Sequence, residues 1–138
     1  MANYTATTRS NYFRVKDATA FKAWCRSLGL HFWTDYRKGG SDAVFYAITA
    51  DADDYGGWPS CNPEDDTDTD LTGELANHLD PRDVAILFEA GHEKLRYITG
   101  VAIAVHPDGR TVSVSLDDIY ARARKAFGRK LTITQGRY

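Results

Sequence analysis

The chain has 138 residues, of which 43% are hydrophobic and 12% aromatic, enough for one domain with one core, and this excludes wholesale disorder. No apolar run approaches the roughly 20 residues that cross a bilayer, and the first residues, Met1 to Thr5, lack the charged and apolar zones of a secretory leader. The net charge of −2 conceals a strong segregation: residues 51–83 hold 1 Lys/Arg against 11 Asp/Glu, while residues 1–50 hold 7 against 3 and residues 84–138 hold 9 against 5.

Taken in chain order, Asn11 to Lys16 is rich in Tyr, Phe and Val and predicts a strand. Asp17 suits a helix N-cap, and Ala20, Phe21, Trp24, Cys25 and Leu28 then recur at helical spacing up to Gly29, so residues 18–28 read as an amphipathic helix. Leu30 to Tyr36 and Ala43 to Thr49 predict two strands of a hairpin joined by a Gly-rich turn. Residues 50–70 then read as a long acidic loop inserted in the domain, and loops of that length are commonly functional. Trp58 within it predicts an anchor, most simply on the domain's own surface.

Leu71 to Leu79 predicts a short helix capped by Thr69 or Asp70. Asp83 to Ala90 reads as a strand apolar on both faces, hence central in its sheet. Gly91 to Lys94 reads as a turn, and Leu95 to Val105 as a long strand with a bulge or close backbone approach at Gly100. Pro107 to Arg110 is a turn before the alternating strand Thr111 to Ser115. Ser115 and Asp118 resemble a capping box ahead of a helix, Leu116 to Phe127, that is expected to bury Leu116, Ile119, Tyr120, Ala123 and Phe127. A short strand at 131–134 closes the chain. Hairpins dominate, so the expected fold is a single α+β domain over residues 1–138: a mainly antiparallel sheet of about six strands with two to three helices packed on it.

No motif for chemistry emerges. Asp66, Asp68 and Asp70 fit the first three ligand positions of an EF-hand loop, but Leu71 stands at the sixth and Asn77 at the twelfth, where the turn glycine and the bidentate glutamate belong. His31, His78, His92 and His106 form no metal-ligand spacing, and Cys25 and Cys61 form no redox pair. Neither metal nor cofactor is expected. His92 beside Glu93 is the one candidate for a small His/Glu-based or metal-dependent enzyme. The basic stretch Arg122 to Lys130 reads as a solvated helix face, and direct nucleic-acid binding is not favoured.

The strongest functional reading falls on the acidic segment. Its carboxylates can imitate a nucleic-acid backbone and compete for Lys/Arg grooves on a nucleic-acid-binding protein. The candidate contact residues are Asp51, Asp53, Asp54, Trp58, Glu64, Asp65, Asp66, Asp68 and Asp70. A regulatory interaction module, dimeric through an exposed strand edge, is the alternative.

Two stretches, Asn3 to Thr5 with Thr8 to Asp17 and then Gly91 to Gly100, resemble a group of small proteins carried by bacterial plasmids, phages and integrative elements. The resemblance implies an accessory protein of a mobile element, with anti-CRISPR or antirestriction inhibition of a host defence protein as the expected role. A cytoplasmic address in a bacterial host, a monomer or homodimer, and no membrane association complete the expectation.

Overall fold

The computed structural model describes residues 4–35, 44–50, 57–59 and 68–136. The elements run β1 (Thr5–Ser10), α1 (Ala18–Ser27), β2 (His31–Asp35), β3 (Phe45–Thr49), α2 (Leu71–His78), β4 (Ala85–Glu93), β5 (Tyr97–Val105), β6 (Thr111–Ser115) and α3 (Asp118–Phe127). All strand pairs are antiparallel, in a four-stranded sheet of order β1-β4-β5-β6 and a two-stranded sheet of β2 and β3. The α+β class and the six strands agree with the sequence reading. So does the central place of the strand rich in Ile86, Leu87 and Phe88.

The pleat divides the large sheet into two unlike faces. Ser10, Thr8, Leu87, Ala85 and Val105 point inward and are buried. Against them pack Phe13, Phe21, Cys25, Leu28, Leu30, Tyr46, Ile48, Leu75 and Leu79, which form one core. Phe21 sits at its centre, ring to ring with Phe13, Trp24, Phe32, Tyr46 and His78. Helix α1 delivers it there. Asp17 caps the helix by accepting from the amides of Thr19 (2.9 Å) and Ala20 (3.2 Å), and Gly29, at φ 71°, ends it in the left-handed region. Cys25 lies one turn after Phe21, fully buried, and burial pushes its thiol up to about 12, so it is a packing residue and not a nucleophile.

The two sheets are joined by hydroxyls. The edge of β3 turned away from β2 exposes three amides. Tyr46 donates to the Phe13 carbonyl (2.7 Å), Ile48 to Ser10 Oγ (2.8 Å) and Ala50 to Thr8 Oγ1 (2.9 Å). Thr49 Oγ1 also donates to the Thr8 carbonyl (2.8 Å). Side chains thus stand where a neighbouring strand's carbonyls would and satisfy the buried amides of β3.

The first predicted strand is displaced. Residues 5–10, with three threonines, form β1, whereas residues 11–16 cross between layers. The amides there go to three different elements: Asn11 to Ile86 (3.0 Å), Phe13 to Tyr46 (2.9 Å) and Lys16 to His78 (2.9 Å). Strand β4 extends through Glu93, so the turn falls at 94–96, where Lys94 takes a positive φ of 47°. No bulge occurs at Gly100, since the β4–β5 register is continuous. The close approach is real: a Cβ there would lie 3.0 Å from Leu116 Cγ. Residues 131–134 form no strand. Helix α3 buries none of its residues, against the expectation of a packed helix.

Arg14 and Asp83 close the other end of β4. Arg14 Nη2 donates to Oδ1 (2.6 Å), and Nε and the backbone amide both donate to Oδ2 (2.8 Å each). These bonds hold the Asp83 carboxyl below its ordinary range. The proton is therefore bound more weakly in the folded chain than in the unfolded one. This contribution to stability is complete above the unfolded carboxylate value of about 4 and is lost as pH falls through the lower folded value. In thermal melts, Asp83→Asn should lower the midpoint at neutral pH. The gap to wild type should narrow below about pH 4. A gap that stays constant down to the acid limit would remove Asp83 from the acid sensitivity.

Candidate functional site

Six of the nine predicted contact residues, Asp51, Asp53, Asp54, Glu64, Asp65 and Asp66, lie outside the described residues. The structure shows what holds the segment that carries them. On one side Trp58 is seated on the large sheet, partly buried against the core. Its amide donates to Glu89 Oε1 (2.9 Å) and its indole Nε1 to the Phe88 carbonyl (3.1 Å). Trp58 is thus the anchor on the domain's own surface that its size suggested. On the other side Asp70 caps α2, accepting from the Gly73 amide (3.3 Å), while Asp68 is exposed.

The remaining acids of the segment are engaged in the fold. Glu74 Oε1 accepts from Trp24 Nε1 (2.9 Å). Asp80 accepts from Arg82 Nε (3.0 Å) and Nη2 (2.9 Å), which pulls its carboxyl far below the ordinary range. Asp83 belongs to Arg14. The structure therefore divides the acidic segment. Asp70, Glu74, Asp80 and Asp83 cap, pin or pair within the fold, and of the acids before Asp70 only Asp68 lies among the described residues.

Glu89 ties this segment to the N-terminus, a link the sequence did not disclose. Its second oxygen accepts from Tyr4 Oη (2.9 Å), which also meets Thr99 Oγ1 (2.8 Å). Tyr4 stacks on Tyr97, with ring centres 6.2 Å apart. Its ring covers Gly91 so closely that a Cβ there would come within 2.5 Å of it and 2.6 Å of the Thr5 carbonyl. Burial raises the Tyr4 phenol above its ordinary value, so at neutral pH it is a hydrogen-bond donor. A recess of about 250 Å³ opens beside Tyr4, Glu89, Thr99, Val101, Ser115 and Asp117. A carboxylate at an inward position of a central strand is the one signal that could have marked it.

His92 and Glu93 do not form a pair. They are successive residues of β4, so their side chains leave opposite faces. Glu93 engages Arg96 (3.2 Å), while His92 is exposed on the outer face. Arg9, Asn11 and Arg14 stand away from this turn. Arg9 stacks over Tyr12 (5.7 Å) and Trp33 (5.3 Å), and Asn11 bonds to the backbone of Val84 and Ile86 (3.1 and 2.8 Å). Arg14 is at the far end of the strand. Among the described residues no group of three or more His, Cys, Asp or Glu side chains stands together to hold a metal.

The outer face of the sheet is the other prominent surface. Registers place Phe88, Ala90 and His92 of β4, Ile98, Gly100 and Ala102 of β5, and Val112 and Val114 of β6 on it. Leu116 leans over Gly100 and divides two apolar grooves, one of about 730 Å³ towards Leu95 and Ile98 and one of about 310 Å³ towards Phe88 and Val114. Among the described residues no helix is long and apolar enough to cross a membrane. Comparison with family models, with curated proteins and with solved structures finds no match.

Proposed function

We propose that this is a non-enzymatic binding protein that inhibits a nucleic-acid-binding partner by presenting carboxylates in place of a phosphate backbone. The observation that carries the reading is the charge segregation, 11 acids against 1 base within residues 51–83. Asp70, Glu74, Asp80 and Asp83 serve the fold, and the reading assigns Asp51, Asp53, Asp54, Glu64, Asp65, Asp66 and Asp68 to a partner's Lys/Arg groove. Within that stretch Trp58 is held on the large sheet, and α2 begins just after it. The resemblance to proteins of mobile elements makes a CRISPR or restriction component of a bacterial host the partner of choice.

The test replaces those seven acids by Asn or Gln in the full chain. Capture from bacterial lysate should bring down a nuclease or Cas subunit in a salt-sensitive complex with the wild type. The variant should bind it at least about tenfold more weakly with an unchanged melting temperature. Retention of full binding by the variant, or a partner with no nucleic-acid groove, would end the reading.

A further inference from the structure

Helix α3 and the outer sheet face have the same unmet need. Ile119 is 60% exposed and Phe127 69%. On a helical wheel both fall on one stripe with Tyr120, Ala123 and Ala126. The sheet face is equally bare: Phe88 is 44% exposed, Ile98 64%, Val112 74% and Val114 47%. We propose that a second copy of this chain satisfies both, each copy laying its α3 stripe across the outer sheet face of the other in a two-fold exchange.

Size is the first argument. With Leu95 and Leu116, these side chains present roughly 800 Å² of apolar surface per copy, taking about 150–200 Å² for a large side chain. Helix stripe and sheet face together thus match the roughly 800 Å² per partner that a stable interface buries. Shape is the second. Leu116 covers Gly100, and beside it Ala90, Ala102 and Ala104 give the sheet a low floor between the walls of Val112 and Val114 on one side and Phe88 on the other, and Ala123 and Ala126 let a helix approach it closely. Charge is the third. Of the outward positions on β4, β5 and β6, only His92 is ionisable. The cations of α3 flank or oppose the stripe, as Arg122, Arg124 and Lys125 do, so none is buried by the contact. A foreign ligand on the sheet face would leave Ile119 and Phe127 in water. The isologous exchange covers helix and face together.

Light scattering on the full chain should return twice the monomer mass. Phe127→Asp and Ala102→Asp should each give a monomer, with self-association weakened at least about a hundredfold. Both positions lie outside the core, so the far-ultraviolet circular dichroism spectrum should not change. Mixing the two variants should restore part of the association, because the intact helix of one meets the intact sheet face of the other. A monomeric wild type overturns the proposal and leaves the face to a different partner. A dimer that survives both substitutions, as pairing through the β6 edge would, overturns it too. So does a mixture that shows no rescue, the result expected of sheet-on-sheet or helix-on-helix contact.

Discussion

Phe21→Ala should cost about 3–5 kcal/mol, the range for removing a buried aromatic from a close-packed core. Phe21 is fully buried and meets five other rings, drawn from residues 13 to 78. Truncation leaves a cavity whose walls belong to α1, α2, β2, β3 and the crossing stretch 11–16, and such a site collapses poorly because no single element can move in to fill it. A domain of this size has about 5–15 kcal/mol of stability in total, so the variant should be largely unfolded under mild heating or low urea. Phe21→Leu, which keeps most of the volume, should retain more than half of that stability. Urea denaturation of the two variants measures both values. A cost near 1 kcal/mol for Phe21→Ala would mean that α1 is not seated on the core as described.

The second large effect lies in the joint between the sheets. Thr8→Val with Ser10→Ala keeps the size of both side chains and removes two acceptors. The Ile48 and Ala50 amides then have no partner in a buried setting. Each orphaned amide costs about 1–3 kcal/mol, so the double variant should lose about 2–6 kcal/mol. The damage should be local before it is global. Hydrogen exchange at Ile48 and Ala50 should accelerate far more than at Leu87 or Ile103, which stay in the β4–β5 ladder. Equal acceleration across the molecule would show that the hydroxyls do not act as the joint. Ser10→Thr, which retains an acceptor, is the control that separates lost bonding from altered packing.

Local signals were read well because local physics sets them. Asp17 and Gly29 bound α1 through capping and a left-handed stop, and these need no partner from elsewhere. Ser115 does not cap α3 as expected: the helix starts at Asp118, its N-cap Asp117 makes no side-chain cap bond, and the Ser115 amide donates to Asp118 Oδ2 (2.8 Å). The hairpin β2–β3, the central β4 and the charge blocks are as legible as α1. Strand content at 11–16 misled because Tyr12, Phe13 and Val15 have strand propensity, yet propensity does not say where the amides go. Here the amides of Asn11, Phe13 and Lys16 go to three different elements, and no ladder forms.

The sequence by itself determined the α+β class, the extent of α1, the hairpins and the concentration of negative charge between residues 51 and 83. Only the tertiary structure decided what Asp70, Glu74, Asp80 and Asp83 do in the fold. Whether an aspartate caps, pairs or remains free depends on what lies across from it, and Arg14 meets Asp83 across 69 positions of sequence. Glu89 reaches Tyr4 across 85. Only the tertiary structure, too, separated His92 from Glu93, by continuing the strand through both. The same holds for α3. Its apolar stripe states that the helix must cover one face, and periodicity does not say against what. The fold leaves that stripe and the outer sheet face both uncovered, a fact that exists only once every other element has been placed.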